Sequence, residues 1–291
     1  MLYQILALLI WGSSFIAAKY SYKMLDPTLM VEARLLIAAL MVLPSCRRHL
    51  GRIPRSEWKP LLWISFVNYV VVLMLQFIGL KYTSAASAIT MVGLEPLLVV
   101  FVGHFFFNDK AKLYHWICSA VAFAGVGMMV MGGAEEGGTI DWFGCLLILL
   151  AGFGFAGVIR PSQQMIARIG ASAFTAASMA VAAVLCLPFS LVLADSYQIN
   201  WSWGGTLSIL YMGIGCSWLA YLLWNKGMNT VPANVSGLLI SLEPVIGVIM
   251  AVLILGEHLS TMSAIGITVV IVSTFVAGML TRVSNKHKKA V

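Results

Sequence analysis

Ten continuous apolar stretches constrain this chain before any motif is considered. They lie at about residues 3–22, 28–46, 61–80, 85–107, 113–131, 142–163, 172–193, 204–225, 233–255 and 261–281, and a helix of roughly 20 mostly apolar residues is what crosses a hydrocarbon core about 30 Å thick. A membrane β-barrel would instead show alternating segments of about ten residues, half the length of these runs. With 60% hydrophobic and 10% charged residues and a mean hydropathy of +0.94, the chain also lies outside the range of soluble domains. The expected fold is an all-α integral membrane protein of ten transmembrane helices. The first run starts almost at Met1, with no basic segment before it and no small-residue cleavage pattern, so it is expected to remain as helix 1 rather than act as a removed signal peptide.

Charge placement orients these helices. With both termini on one side, the even-numbered loops and the tail carry Arg47, Arg48, Arg52, Arg55, Lys59, Lys110, Lys112, Arg160, Arg168, Lys226, Arg282, Lys286, Lys288 and Lys289, fourteen of the eighteen basic residues. The odd loops hold Lys23 and Lys81 and the acidic Glu135, Glu136, Asp141, Asp195 and Glu257. The positive-inside bias then makes both termini cytoplasmic, in a multi-pass protein of the inner or plasma membrane. Lys19 and Arg34 fall near the outer ends of helices 1 and 2, where long cationic side chains snorkel to the interface; an inward-turned Lys19 is the alternative. A net charge of +7 spread over helix ends and loops does not imply nucleic acid. The five cysteines are scattered through apolar spans without ligand spacing, so neither disulfides nor a metal site nor any other cofactor is implied.

An internal repeat is visible. A shift of 148 residues aligns Gly79–Met131 with Gly227–Met279 without a gap, with nine of 53 pairs identical. Three identities are consecutive, Leu94-Glu95-Pro96 against Leu242-Glu243-Pro244, and Asp109 matches Glu257 at the following helix end. A fainter echo at a shift of 141 pairs Leu8, Leu9 and Lys19 with Leu149, Leu150 and Arg160. The unit is five helices, giving halves at residues 1–139 and 140–291. Five is odd, so the second copy enters the membrane from the opposite side, as an inverted repeat of the kind that supports alternating access. A small-molecule solute and the lipid bilayer are the expected partners, with the protein as monomer or homodimer; duplication that merely made a stable bundle is the bland alternative.

Glu95 and Glu243 each lie about ten residues into an apolar span, too deep for a short side chain to reach the interface. They read as the deepest acids of the chain and as its candidate substrate- or proton-binding centres. Pro96 and Pro244 follow them and are expected to kink helices 4 and 9, freeing the carbonyls of Val92 and Ile240. An ionised Glu would hold a cationic or amino group, a protonatable one would carry a coupling proton, and a neutral Glu would only bridge helices at about 1 kcal/mol. Trp11 and Ser14 of helix 1, Asn68, Tyr69 and Gln76 of helix 3, and Trp218, Tyr221 and Asn225 of helix 8 complete the candidate lining. Of these the amides are the more informative, since Trp and Tyr also decorate interfaces. Small residues four apart, as at Ala120 and Ala124 or Gly247 and Ala251, read as helix packing. No nucleotide loop or HExxH motif occurs, which excludes ATP-driven transport within the chain. An intramembrane enzyme would have only Glu95 and Glu243 as an acid pair, and a facilitative uniporter would leave the same features.

Trp11-Gly12-Ser13-Ser14-Phe15 with Lys19 in helix 1, Glu32-Ala33-Arg34 opening helix 2, and proline-bearing helices 4 and 9 followed by Gly256-Glu257 resemble the EamA family of the drug/metabolite transporter superfamily. The resemblance covers essentially the whole chain. It implies ten helices in inverted five-helix repeats, a cavity formed mainly by helices 1, 3, 4, 6, 8 and 9, and export or exchange of amino acids or related metabolites. Gly152-Phe153-Gly154-Phe155 stands where the family usually has a Trp in helix 6, and Glu before both prolines is not guaranteed by the family pattern.

Overall fold

Continuous apolar sequence leaves the backbone no partner but itself, and the chain is accordingly helical: 88% helix, with no strand among the described residues. The structure, a computed structural model, describes residues 2–107, 111–135, 142–229, 239–240, 243–256 and 258–289, without the side chains of 130, 133–135 and 281–289. In chain order we label α1 (Leu2–Ser21), α2 (Pro27–Arg52), α3 (Arg55–Lys81), α4 (Ala85–Phe106), α5 (Leu113–Glu135), α6 (Trp142–Ile169), α7 (Ala171–Leu193), α8 (Trp203–Met228), α9 (Glu243–Leu255) and α10 (Thr261–Lys289). Eight have the length and composition to cross a membrane; α5 and α9 carry shorter apolar helices, Leu113–Met129 and Glu243–Leu255. Most of the first half of the ninth expected span, with Leu242 and the matched pair Asp109 and Glu257, lies outside the described residues.

Helix starts follow local chemistry. Asp26 caps α2, its carboxylate accepting from the Thr28 N–H at 2.9 Å with Pro27 in the first turn, where no N–H is needed. Ser84 and Ser202 cap α4 and α8 in the same way, each accepting at 3.1 Å from the N–H three residues on. Lys81 and Asp195, at 2.5 Å, tie the end of α3 to the segment after α7.

Side chains are sorted opposite to a soluble protein. Leu40, Trp63, Phe106, Ile117, Val192 and Leu253 are exposed, whereas Glu32, Arg34, Asn68, Glu95, Asn225 and Glu243 are buried. Such an apolar exterior is stable only against lipid, so the chain is a multi-pass membrane protein.

The helices pair as α2 with α7, α5 with α10, α4 with α9, α3 with α6, and α1 with α8. At the α3–α6 crossing a Cβ on Gly79 would lie 2.7 Å from the Gly144 oxygen, and a Cβ on Gly144 would lie 2.7 Å from the Gly79 oxygen. Only glycine lets these backbones meet. Regular α-helix gives way to wider π turns at Phe66–Val71 of α3 and Met212–Leu219 of α8. Such turns rotate the following side chains and recur at functional sites.

Candidate functional site

Backbone breaks build the site. Helix α4 stops at Val92 and restarts at Glu95, with Gly93 and Leu94 as the turn between. The Leu94 N–H reaches Met91 O at 3.1 Å, and Leu94 O accepts from Leu97 and Leu98 at 2.9 and 3.1 Å. Pro96 therefore does not kink a continuous helix, as the sequence suggests; it sits in the first turn of a new one, where its missing N–H breaks nothing. Pro244 likewise follows Glu243 at the start of α9. Both glutamates thus head a helix, where the positive end of the backbone dipole favours negative charge.

The break in α4 meets the first turn of α9. A Cβ on Gly93 would lie 3.0 Å from Pro244 Cγ, and one on Gly12 would lie 3.5 Å from Glu243 O. Where α1, α4 and α9 touch in this way, a cavity of about 50 Å³ opens, lined by both Glu95 and Glu243. Its other polar walls are Trp11, Ser14, Arg34, Gln76 and Tyr221, and its apolar walls include Phe15, Val72, Leu73, Phe77 and Phe155. Phe155 of the Gly-Phe-Gly-Phe run faces the space, and a Cβ on Gly152 would lie 3.7 Å from Glu95 Cγ. Glu95 and Glu243 are 5% and 7% exposed.

Six of the ten sequence-predicted site residues line this cavity: Glu95, Glu243, Trp11, Ser14, Gln76 and Tyr221. Tyr69, Asn68 and Asn225 form a second polar layer behind it. The Tyr69 ring lies 4.7 Å from Tyr221, its hydroxyl accepts from Ser178 Oγ at 3.4 Å, and the Asn68 and Asn225 side chains converge on it. Asn225 Nδ2 also donates to Thr175 Oγ1 at 2.9 Å, joining α8 to α7. The ring sequence continues from Tyr221 to Trp11 at 4.8 Å and on to Trp224 at 5.5 Å, and Trp11 Nε1 donates to Cys216 O at 2.9 Å. Trp218 is elsewhere, on a separate cavity of about 400 Å³ shared with Arg48 and His49.

Three basic residues find partners inside the fold or at its helix ends. Arg34, read as a snorkelling cation, is 1% exposed and faces the central cavity. Its Nε donates to Ser217 Oγ at 2.8 Å, and its guanidinium lies 4.9 Å from the Phe77 ring centre. Depth was the available signal: Asp26 and Pro27 fix the start of α2, which puts Arg34 roughly 10 Å along the helix. Lys19 is half-buried and is not among the residues lining the cavity; its Nζ donates to Thr83 O at 2.6 Å, in the turn between α3 and α4. Arg160 donates to Phe107 O at 3.4 Å and stacks on that ring at 5.2 Å. Glu32, also 5% exposed, lies beside Cys186. Among the described residues no group of three His, Cys, Asp or Glu side chains is arranged to hold a metal ion.

Comparison with known proteins identifies the scaffold. Residues 1–131 and 142–279 match the model of the EamA-like transporter family. An uncharacterized transporter of Haemophilus influenzae is 46% identical over 142 residues, 48% of this chain and 84% of the relative. The uncharacterized transporter YetK of Bacillus subtilis is 28% identical over 281 residues, 93% of this chain and 84% of that one. A solved crystal structure shares the fold, with a TM-score of 0.69 and 21% identity, covering 97% of this chain and 96% of its own.

Proposed function

Since the chain belongs to the EamA-like transporter family and is a multi-pass membrane transporter of a small solute, we propose that it is a secondary exporter or exchanger of amino acids or similar metabolites. It works by alternating access around the cavity that Glu95 and Glu243 share. The observation that carries this reading is that two glutamates 148 residues apart, each before a proline at a helix start, line one space.

Ten helices in two inverted halves are part of the proposal. In support, the pairs α2–α7, α5–α10 and α4–α9 each join a helix to the one five places on, and α3–α6 maps onto α8–α1 under the same exchange. The π turns of α3 and α8 fall at corresponding places. Gly79 and Gly227, identical across the repeat, pack respectively on α6 and on Gln4 of α1. Halves related in this way can exchange shapes, so a form open to one side implies a form open to the other. With both termini cytoplasmic, the basic loop 47–59 faces inward.

The glutamates serve as the proton or amino-group site. Binding sites for small solutes occupy roughly 300–1,000 Å³, so a cavity of about 50 Å³ has to widen before a solute enters. The test is flux in sealed vesicles holding the purified chain. Glu95→Gln and Glu243→Gln should each lower flux by about ten-fold or more, a loss of roughly 1.4 kcal/mol or more in the limiting step, and should flatten its dependence on a pH gradient. Native rates and native pH dependence in both variants would remove the glutamates from the mechanism. An intramembrane enzyme would return an altered solute; the proposal predicts it unaltered.

A further inference from the structure

A buried guanidinium is never neutral, because arginine does not deprotonate in proteins. In an apolar interior it needs a countercharge or a full set of hydrogen bonds. Arg34 has neither. Nε is occupied by Ser217, but Nη1, fully buried, has no hydrogen-bond partner among the described residues. Among those residues no carboxylate lies within 4.0 Å of it, and the ion pairs formed there involve Lys81 and Arg168 instead. The side chain lines the same small cavity as Glu95 and Glu243.

The group is also held in place. Ser217 pins Nε from the π turn of α8, and Phe77, itself stacked on Phe15 with centres 5.5 Å apart, lies beneath the guanidinium. A fixed planar fork with unshared N–H groups is matched by a planar two-oxygen anion, which it can grip through paired charge-assisted bonds. A cation required only as a strut between α2 and α8 would have no need to leave Nη1 unpaired.

Resting on the transport reading above, we infer that Arg34 is the anion-recognition residue of the central site, and that it binds the carboxylate of the transported solute. Glu95 and Glu243 line the same cavity and are left to receive the solute's amino group or a proton. The solute supplies the countercharge that the fold withholds.

The test compares matched probes on the full chain in detergent: leucine, phenylalanine, glutamine and threonine, each beside its α-amide and its decarboxylated amine, with O-phosphoethanolamine as a phosphate-bearing control. A ligand that binds the folded state raises the melting temperature. The inference expects stabilisation by one or more of the acids, none by the amides or amines, and at least ten-fold weaker apparent binding in Arg34→Gln with partial recovery in Arg34→Lys. Equal stabilisation by an acid and its amide, stabilisation by O-phosphoethanolamine alone, or no stabilisation by any acid would each overturn it. The native-chain comparison needs no substitution, so it decides the matter even if Arg34→Gln does not fold. Vesicle flux of the same probes separates the two readings: amides moved as fast as acids would remove the role of Arg34 and leave transport standing, whereas no flux of any probe would remove both.

Discussion

Gly93 has room for a hydrogen and little more. A Cβ there would lie 2.9 Å from Thr90 O and 3.0 Å from Pro244 Cγ, and neither backbone nor proline ring can swing aside. Gly93→Val should therefore lower stability in detergent by about 1–3 kcal/mol, the usual cost of overpacking, and should depress flux by parting α4 from α9. A variant with native melting temperature and native flux would show that the α4 break and the first turn of α9 do not press on each other. Side chains of this kind were unequally legible in the sequence. Glu95 and Glu243 announce themselves, because a short acid ten residues into an apolar run has no route to water. Arg34 does not, because a long cation near a span's end reads equally well as snorkelling; only Ser217 and Phe77, brought in by α8 and α3, decide its direction. The Tyr69 layer depends in the same way on Ser178 and Thr175 of α7, which no local pattern connects to it.

Among elements, the broken α4 differs most from its sequence reading. Proline inside a span suggests a kink with an orphaned carbonyl, but the Gly93-Leu94 turn ends the first helix before Pro96 is reached. Pro96 in a first turn costs no hydrogen bond, so Pro96→Ala should change stability by less than about 1 kcal/mol. Proline in a helix interior costs about 3 kcal/mol, so its replacement there would stabilise by a comparable amount. Thermal unfolding of that variant distinguishes the two, and a large gain would return α4 to a kinked continuous helix. The spans themselves were legible because lipid imposes length and apolarity on every one of them. The π turns of α3 and α8 were not, since no residue pattern marks the single extra residue that widens a turn.

For the whole molecule, the repeat in sequence and the paired helices in space support the proposed arrangement of two five-helix halves, with the broken α4 and the start of α9 meeting at a shared polar cavity. The cavity of about 50 Å³ is too small for a solute, so alternating access requires that it open in turn to each face of the membrane. Val92 lines it and is close to cysteine in size, while the native cysteines, all buried, can be replaced beforehand. The direct measurement is the reaction of Val92→Cys with a membrane-impermeant thiol reagent applied to oriented vesicles from one side and then from the other. Alternating access gives labelling from both sides, slowed from both by a transported solute. Labelling from one side alone, under every gradient and solute applied, would contradict it.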